Sequence, residues 1–228
     1  KIDSGAAMKG FRYLNLDCVD FRGRVTWDDG PSRLLFQNLD CVRGRTRYRL
    51  DGAMDLGESE SMDFGGEVPA GGNVADFVGI FDSLTKPYWW FPRGVTGPMS
   101  GRMRVHGGIS LSEMKVDASV EGTRWEYLGE RFSKVSIRGG YDRGRYFVSD
   151  FDGTKRIGRV HGSISVDSKS NYEWKVSTEN LSLSDLDHVA SLDIPLRGSL
   201  SGTSWGKGPE GSVESKTDLR LTDLVLRG

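Results

Sequence analysis

No run of 18 or more apolar residues occurs in this 228-residue sequence, so no segment of it reads as a helix crossing a bilayer. Nor does one sign of charge dominate. The 31 Lys and Arg are matched by 32 Asp and Glu, which argues against a nucleic-acid partner held by a basic field. Histidine is scarce, at three residues, and cysteine scarcer, at two, so a metal centre has few ligands to draw on. Apolar residues reach just 36%. What the sequence has instead is glycine, 31 residues, with seven prolines, a composition of turns and bulges rather than long helices. It begins at Lys1 without Met or signal peptide and stops after the strand-like LTDLVLRG, and so reads as an interior piece of a longer chain.

Period-two alternation organises most of the sequence. In GRMRVHGGISL (101–111), Met103, Val105, Gly107, Ile109 and Leu111 alternate with Arg102, Arg104, His106, Gly108 and Ser110. That pattern marks a strand with one dry face and one wet face. VHGGIS at 105–110 returns as VHGSIS at 160–165, an offset of 55 (160 − 105), and GSLSGTS at 198–204 keeps the Gly-x-apolar-x-Gly skeleton. Met114, Val116, Ala118 and Val120 continue the dry face, as do Val135 with Ile137, Val160 with Ile164 and Val166, and Tyr172 with Trp174 and Val176. Turn signals at 140–145 (GYDRGR) and 167–171 (DSKSN) predict antiparallel pairing through short loops.

Two short helices interrupt the strands. Asn73 suits an N-cap, and Val74, Phe77, Val78, Phe81 and Leu84 recur at helical spacing. Ser182 suits a second cap before Leu183, Leu186, Val189 and Leu192. The predicted layout is one continuous repeat domain. It comprises a strand segment over 1–68, helix and aromatic linker over 69–97 beginning at the pattern-breaking Pro-Ala-Gly-Gly, strands over 98–181, a helix over 182–195, and the next strand repeat from 196 to 228.

Both cysteines lie in the pentapeptide NLDCV, at 15–19 and 38–42. If DDGP (28–31) forms a four-residue hairpin loop, residue i pairs with residue 59 − i and Cys18 sits opposite Cys41. A cross-strand disulfide fits that register; two buried thiols are the other reading.

No catalytic constellation emerges. His106 and His161 share the wet side of a repeated strand and read as solvated residues, not metal ligands or acid–base groups. Asp28, Asp29, Asp150 and Asp152 read as turn or strand-end residues that bond their own backbone. No cofactor and no metal are expected, and no enzyme activity.

The dry face is therefore the informative feature. It can be hidden inside two facing sheets, a β-sandwich, or it can line an open trough. Continuous alternation with polar outer faces favours the trough: a mostly β chain whose long, twisted antiparallel sheet curls into a U-shaped groove with an apolar lining, accompanied by two short amphipathic helices. Such a lining suits acyl chains, since each buried methylene contributes about 0.8 kcal/mol. The candidate lining residues are Met103, Val105, Ile109, Met114, Val116, Val120, Val135, Ile137, Val160, Ile164, Val166, Tyr172, Trp174, Val176, Leu200, Leu219 and Leu221. Phe77, Phe81, Trp89, Trp90 and Phe91 are expected at the groove mouth or on its edge helix.

The order helix, Pro, GxLxG strand, together with RWEYLGERFSKVSIRGGYDRGRYFVSDFDGTKRIGRVHGSI (124–164), resembles the AsmA-like and TamB proteins of Gram-negative envelopes, best over 73–228. The resemblance implies a periplasmic segment of an inner-membrane-anchored bridge that carries phospholipid acyl chains between the two membranes, with the anchor outside this sequence. It also implies an alternative: a scaffold for assembling outer-membrane β-barrel proteins, with the outer-membrane assembly machinery as partner. A carbohydrate-active or carbohydrate-binding β-sandwich is the reading that needs no such resemblance.

Overall fold

The computed structural model describes the backbone at 2–8, 11–13, 16–18, 21–81, 92–191 and 196–226, and side chains at 22–80, 92–191 and 196–226. Alternating sequence becomes strand nearly throughout. The strands are β1 (Ile2–Met8), β2 (Phe11–Tyr13), β3 (Leu16–Cys18), β4 (Phe21–Asp28), β5 (Arg33–Arg43), β6 (Thr46–Asp55), β7 (Ser61–Asn73), β8 (Pro98–Gly108), β9 (Met114–Tyr127), β10 (Glu130–Asp142), β11 (Arg145–Lys155), β12 (Gly158–Val166), β13 (Asn171–Ser182), β14 (Leu196–Pro209) and β15 (Glu214–Leu226). Among the described residues β2 and β3 pair with each other, and the remaining 13 strands form one antiparallel sheet in chain order, with β1 and β15 as its edges and no closure into a barrel. The chain divides into two compact units, Lys1–Val120 with Tyr141–Arg143, and Glu121–Gly140 with Gly144–Gly228.

Turn chemistry sets the connections. Leu128-Gly129 places both residues in the left-handed region (φ 51 and 78), which matches the twist of the strands it joins. The expected DSKSN turn forms because the Asp167 carboxylate accepts from the backbone N–H groups of Lys169 and Asn171, each at 2.9 Å.

Two expectations in the first unit need correction. Pro69-Ala-Gly-Gly72 does not end the strand: β7 runs through it to Asn73, with a shift of pairing between Val68 and Gly72 and Gly71 at φ 98. The register around Cys41 also differs. Asp28 pairs with Arg33, because Ser32 turns left-handed (φ 52) and the loop closes later than expected. An extra residue at Asn38 (φ 49) then bulges β5, so Phe21, not Cys18, stands opposite Cys41. Cys41 is nevertheless disulfide-bonded and fully buried, and the sequence holds one other cysteine, Cys18. β3, which carries Cys18, lies against β5 as part of the small β2–β3 sheet. The bridge therefore ties that small sheet to the large one rather than spanning a ladder.

Both helices are shorter than the periodicity predicts. α1 is Val74–Val78, continued by a 3-10 turn at Gly79–Phe81. Asn73 caps it as expected, its side chain accepting from the Ala75 N–H at 2.9 Å. Leu84 lies outside the described residues. In the second segment a 3-10 turn, Leu183–Asp185, is separated from α2 (Asp187–Ala190) by Leu186 in extended conformation. Ser182 makes no capping bond. The break follows from what the flanking carboxylates bind.

Each helical segment is latched to strand turns of its own unit by acid side chains. In the first unit Asp76 accepts from the Arg45 N–H at 3.0 Å and the Thr46 hydroxyl at 2.9 Å, while Thr46, fully buried, accepts from the Asn73 N–H at 2.8 Å. In the second, Asp187 accepts from the Arg131 N–H and Nε, both at 2.9 Å, and from Lys155 Nζ at 3.2 Å. Lys155 is 4% exposed, donates to Glu130 and to the Asp185 carbonyl, and lies 5.4 Å from the Phe132 ring centre. Glu130 also accepts from the N–H groups of Asp187 (3.2 Å) and His188 (3.0 Å). Burial pushes the Glu130 carboxyl up, but the bonds from Lys155 and His188 outweigh it and hold its pKa at about 2. The Asp187 carboxyl is likewise held well below its ordinary range, first by Arg131.

Candidate functional site

Register and alternation together assemble a continuous apolar face in each unit. In the first unit, one row runs Trp27, Leu34, Met54, Met62, Gly107, and the next Val25, Phe36, Gly52, Phe64, Val105. A third runs Leu39, Leu50, Gly66, Met103. In the second unit the rows are Tyr146, Val166, Tyr172, Gly208; then Val148, Ile164, Trp174, Gly206; then Phe151, Gly162, Val176, Ser204. Beyond them lie Gly153, Val160, Thr178, Gly202 and Leu219.

Cover over these rows is uneven. Near the α1 end of the first unit Cys41, Tyr48, Val68, Val74 and Met99 are buried. Away from it Trp27, Leu34, Phe36, Phe64, Met103 and Val105 are half-buried. In the second unit Leu181 and Val166 are buried, while Val160, Ile164, Tyr172, Trp174 and Val176 stay half-buried. A side chain inside a closed sandwich would be fully enclosed; these keep part of their surface accessible.

Glycine and aromatic residues build the floor together. A Cβ added to Gly206 would fall 2.3 Å from Cη2 of Trp174, its partner across the strand, so the indole lies flat over the glycine. Trp174 Nε1 donates to Ser204 Oγ at 3.3 Å, which holds the ring there. Phe64 lies over Gly52 in the same way, 2.7 Å from an added Cβ. Gly206→Leu should therefore displace the Trp174 indole and cost about 1–3 kcal/mol by overpacking. Urea unfolding with a shifted tryptophan emission is the check; unchanged stability and emission would refute the flat-ring floor.

The opposite face is charged and paired across strands. Arg104 binds Asp63 through two bonds of 2.8 Å, a pairing that keeps the Asp63 carboxyl below its ordinary range. Arg33 pairs with Asp55 at 3.2 Å and Arg159 with Asp152. Asp150 and Asp152 lie inside β11, correcting their reading as turn or strand-end residues; Asp150 falls at a bulge. His106 and His161 are on this face, His106 Nε2 at 3.2 Å from Asp117 and His161 Nε2 at 2.7 Å from Ser177 Oγ. Among the described residues no group of three or more His, Cys, Asp or Glu is arranged to hold a metal ion.

The structure gives the predicted lining residues different surroundings. Met103, Val105, Val160, Ile164, Tyr172, Trp174 and Val176 are half-buried in the rows; Val116, Ile137 and Leu200 are half-buried on their strands. Met114, Val120, Val135 and Val166 are buried. Ile109 falls past the end of β8, in the bend that follows, and Leu219 and Leu221 are 58% and 51% exposed on the edge strand. Phe77 is half-buried in α1; the Phe81 side chain and Trp89, Trp90 and Phe91 lie outside the described residues.

Sequence reading missed Trp27, Leu34, Phe36, Leu50, Met54 and Phe64, which extend the apolar face through the first unit. Their alternation is masked by the bulge at Asn38, which shifts the parity of β5, and by Gly52 and Gly66 standing where an apolar letter is expected. The available signal was a glycine directly across from an aromatic. Comparison of the chain with models of protein families, with curated proteins and with solved structures finds no match.

Proposed function

We propose that the open apolar face binds the acyl chains of phospholipid or a similar lipid, and that the chain is a periplasmic segment of a lipid-carrying bridge between membranes. One observation carries this reading: in each unit, rows of apolar side chains and glycines on one face of the sheet, many of the side chains half-buried, with paired charges on the other face. A hydrocarbon chain laid along such rows exchanges water for Phe64 and Val105 in the first unit, or for Trp174 and Val176 in the second, at about 0.8 kcal/mol per methylene. The U-shaped groove and the bridge belong to this proposal through the resemblance to AsmA-like and TamB proteins. Catalysis has no part in it.

Native mass spectrometry of protein purified from a Gram-negative host tests the proposal. The expected result is bound phospholipid or fatty acid, lost at least tenfold in the double variant Val105→Glu, Val176→Glu. A lipid-free wild-type protein that also fails to take up a fluorescent fatty acid would overturn it.

A further inference from the structure

We infer that the β2–β3 hairpin is an intramolecular occupant of the first unit's apolar face, strapped over it by the disulfide, and that its release opens further apolar surface to ligand. Cys41 decides which face the hairpin covers. It lies two residues beyond Leu39 in β5, with unbroken pairing between them, so its side chain shares the face of the Leu39, Leu50, Gly66, Met103 row. Tyr48, its partner across the ladder, is two residues from Leu50 and points the same way. A disulfide brings its two Cα atoms within roughly 7 Å of each other. A sulfur on the apolar side of β5 can therefore be bridged to β3 only if β3 runs above that side.

Exposure on the two faces agrees with that placement. On the apolar side Leu39, Cys41 and Tyr48 are 3%, 0% and 4% exposed. On the wet side of the same two strands Asp40, Arg47 and Arg49 are exposed, so the cover is one-sided. It also fades away from β5: in the row that begins at buried Leu39, Leu50 and Met103 are half-buried. The helix α1 packs on β7, whereas the segment lying against β5 is β3. A small sheet laid over one stretch of the apolar face produces this profile.

The bridge is what holds the hairpin down. Among the described residues β2 and β3 pair only with each other, as Phe11 with Cys18, Arg12 with Asp17 and Tyr13 with Leu16, and take no place in the ladder of the large sheet. A hairpin of three pairs has little stability of its own. The disulfide keeps it at high effective concentration over β5, and without that tether it lifts. Lifting uncovers Leu39, Cys41 and Tyr48 and joins them to the half-buried Phe36, Leu50 and Phe64. What enters there rests on the lipid reading; where the hairpin lies does not.

Thiol alkylation and fatty-acid uptake by the intact chain are the test. In Cys18→Ala the Cys41 thiol should react with N-ethylmaleimide in native buffer at no less than a tenth of its rate in urea, because its cover has lifted. The same variant should bind at least twofold more fluorescent fatty acid per chain than the wild type. Dithiothreitol applied to the wild type should reproduce both gains and reoxidation should reverse them, which separates lifting of the hairpin from unfolding. A Cys41 that stays unreactive, fatty-acid uptake that is present but unchanged by release, or gains that reoxidation does not reverse would each overturn the inference. A reactive Cys41 in a chain that takes up no fatty acid in either state supports the cover and overturns the lipid reading instead.

Discussion

Lys155→Ala is expected to destabilise the second unit by about 3 kcal/mol, because it removes the cation buried between Glu130 and Asp187 and leaves two carboxylates facing each other. The cost stays near the lower end of the range for a broken buried pair, since Arg131 and the N–H groups of Asp187 and His188 still donate to these carboxylates. Lys155→Met keeps the hydrocarbon contact with Phe132 but not the charge, and should recover only part of the loss. Urea denaturation at pH 7, with hydrogen exchange read at 183–190, checks both variants. The acid response follows from the same bonds. Glu130 has a folded pKa of about 2, below its unfolded value, so its contribution is complete above the unfolded pKa and fades as pH falls towards 2. After discounting for solvent screening that contribution is about 2 kcal/mol. In Lys155→Ala the depression shrinks, and the dependence of stability on pH below the unfolded pKa should flatten. An unchanged acid profile would show that Lys155 is not what holds Glu130 ionised.

Cys41→Ser should cost the first unit roughly 4 kcal/mol, about 3 of it from loss of the bridge. The bridge closes a loop between positions 23 apart (41 − 18), whose release adds conformational entropy to the unfolded chain. Cys41 is 0% exposed, so the serine hydroxyl is buried at a further cost of about 1 kcal/mol unless it finds a partner. Reducing agent applied to the wild-type protein should reproduce the entropic part alone, lowering the urea midpoint less than the substitution does. A midpoint indifferent to reductant would contradict the bridge. Because the bridge fastens the β2–β3 sheet to β5, its loss should first raise proteolytic cleavage within residues 11–18.

The sequence by itself determined the strands, their antiparallel order and the two faces of the sheet. Alternation is a local property: Met103 and Val105 must point one way and Arg102 and Arg104 the other wherever the strand lies. Asn73 was equally legible, since a cap bonds within its own turn. Tertiary structure alone decided the rest, because each remaining feature turns on a partner far away in sequence. The later closure of the loop at Ser32 moves the β4–β5 pairing by two positions and Asn38 by one more, so the neighbour of Cys41 is Phe21 instead of Cys18. The second helix breaks at Leu186 because Asp187 is drawn to Arg131 and Lys155, residues 56 and 32 positions away. Lys155 reads as one more surface lysine; it is buried only because Glu130 and the Asp185 carbonyl converge on its ammonium group. Whether an alternating residue is covered or open depends on what packs over it: Val68 and Phe64 share one face of β7, yet Val68, near α1, is buried and Phe64 is half-buried.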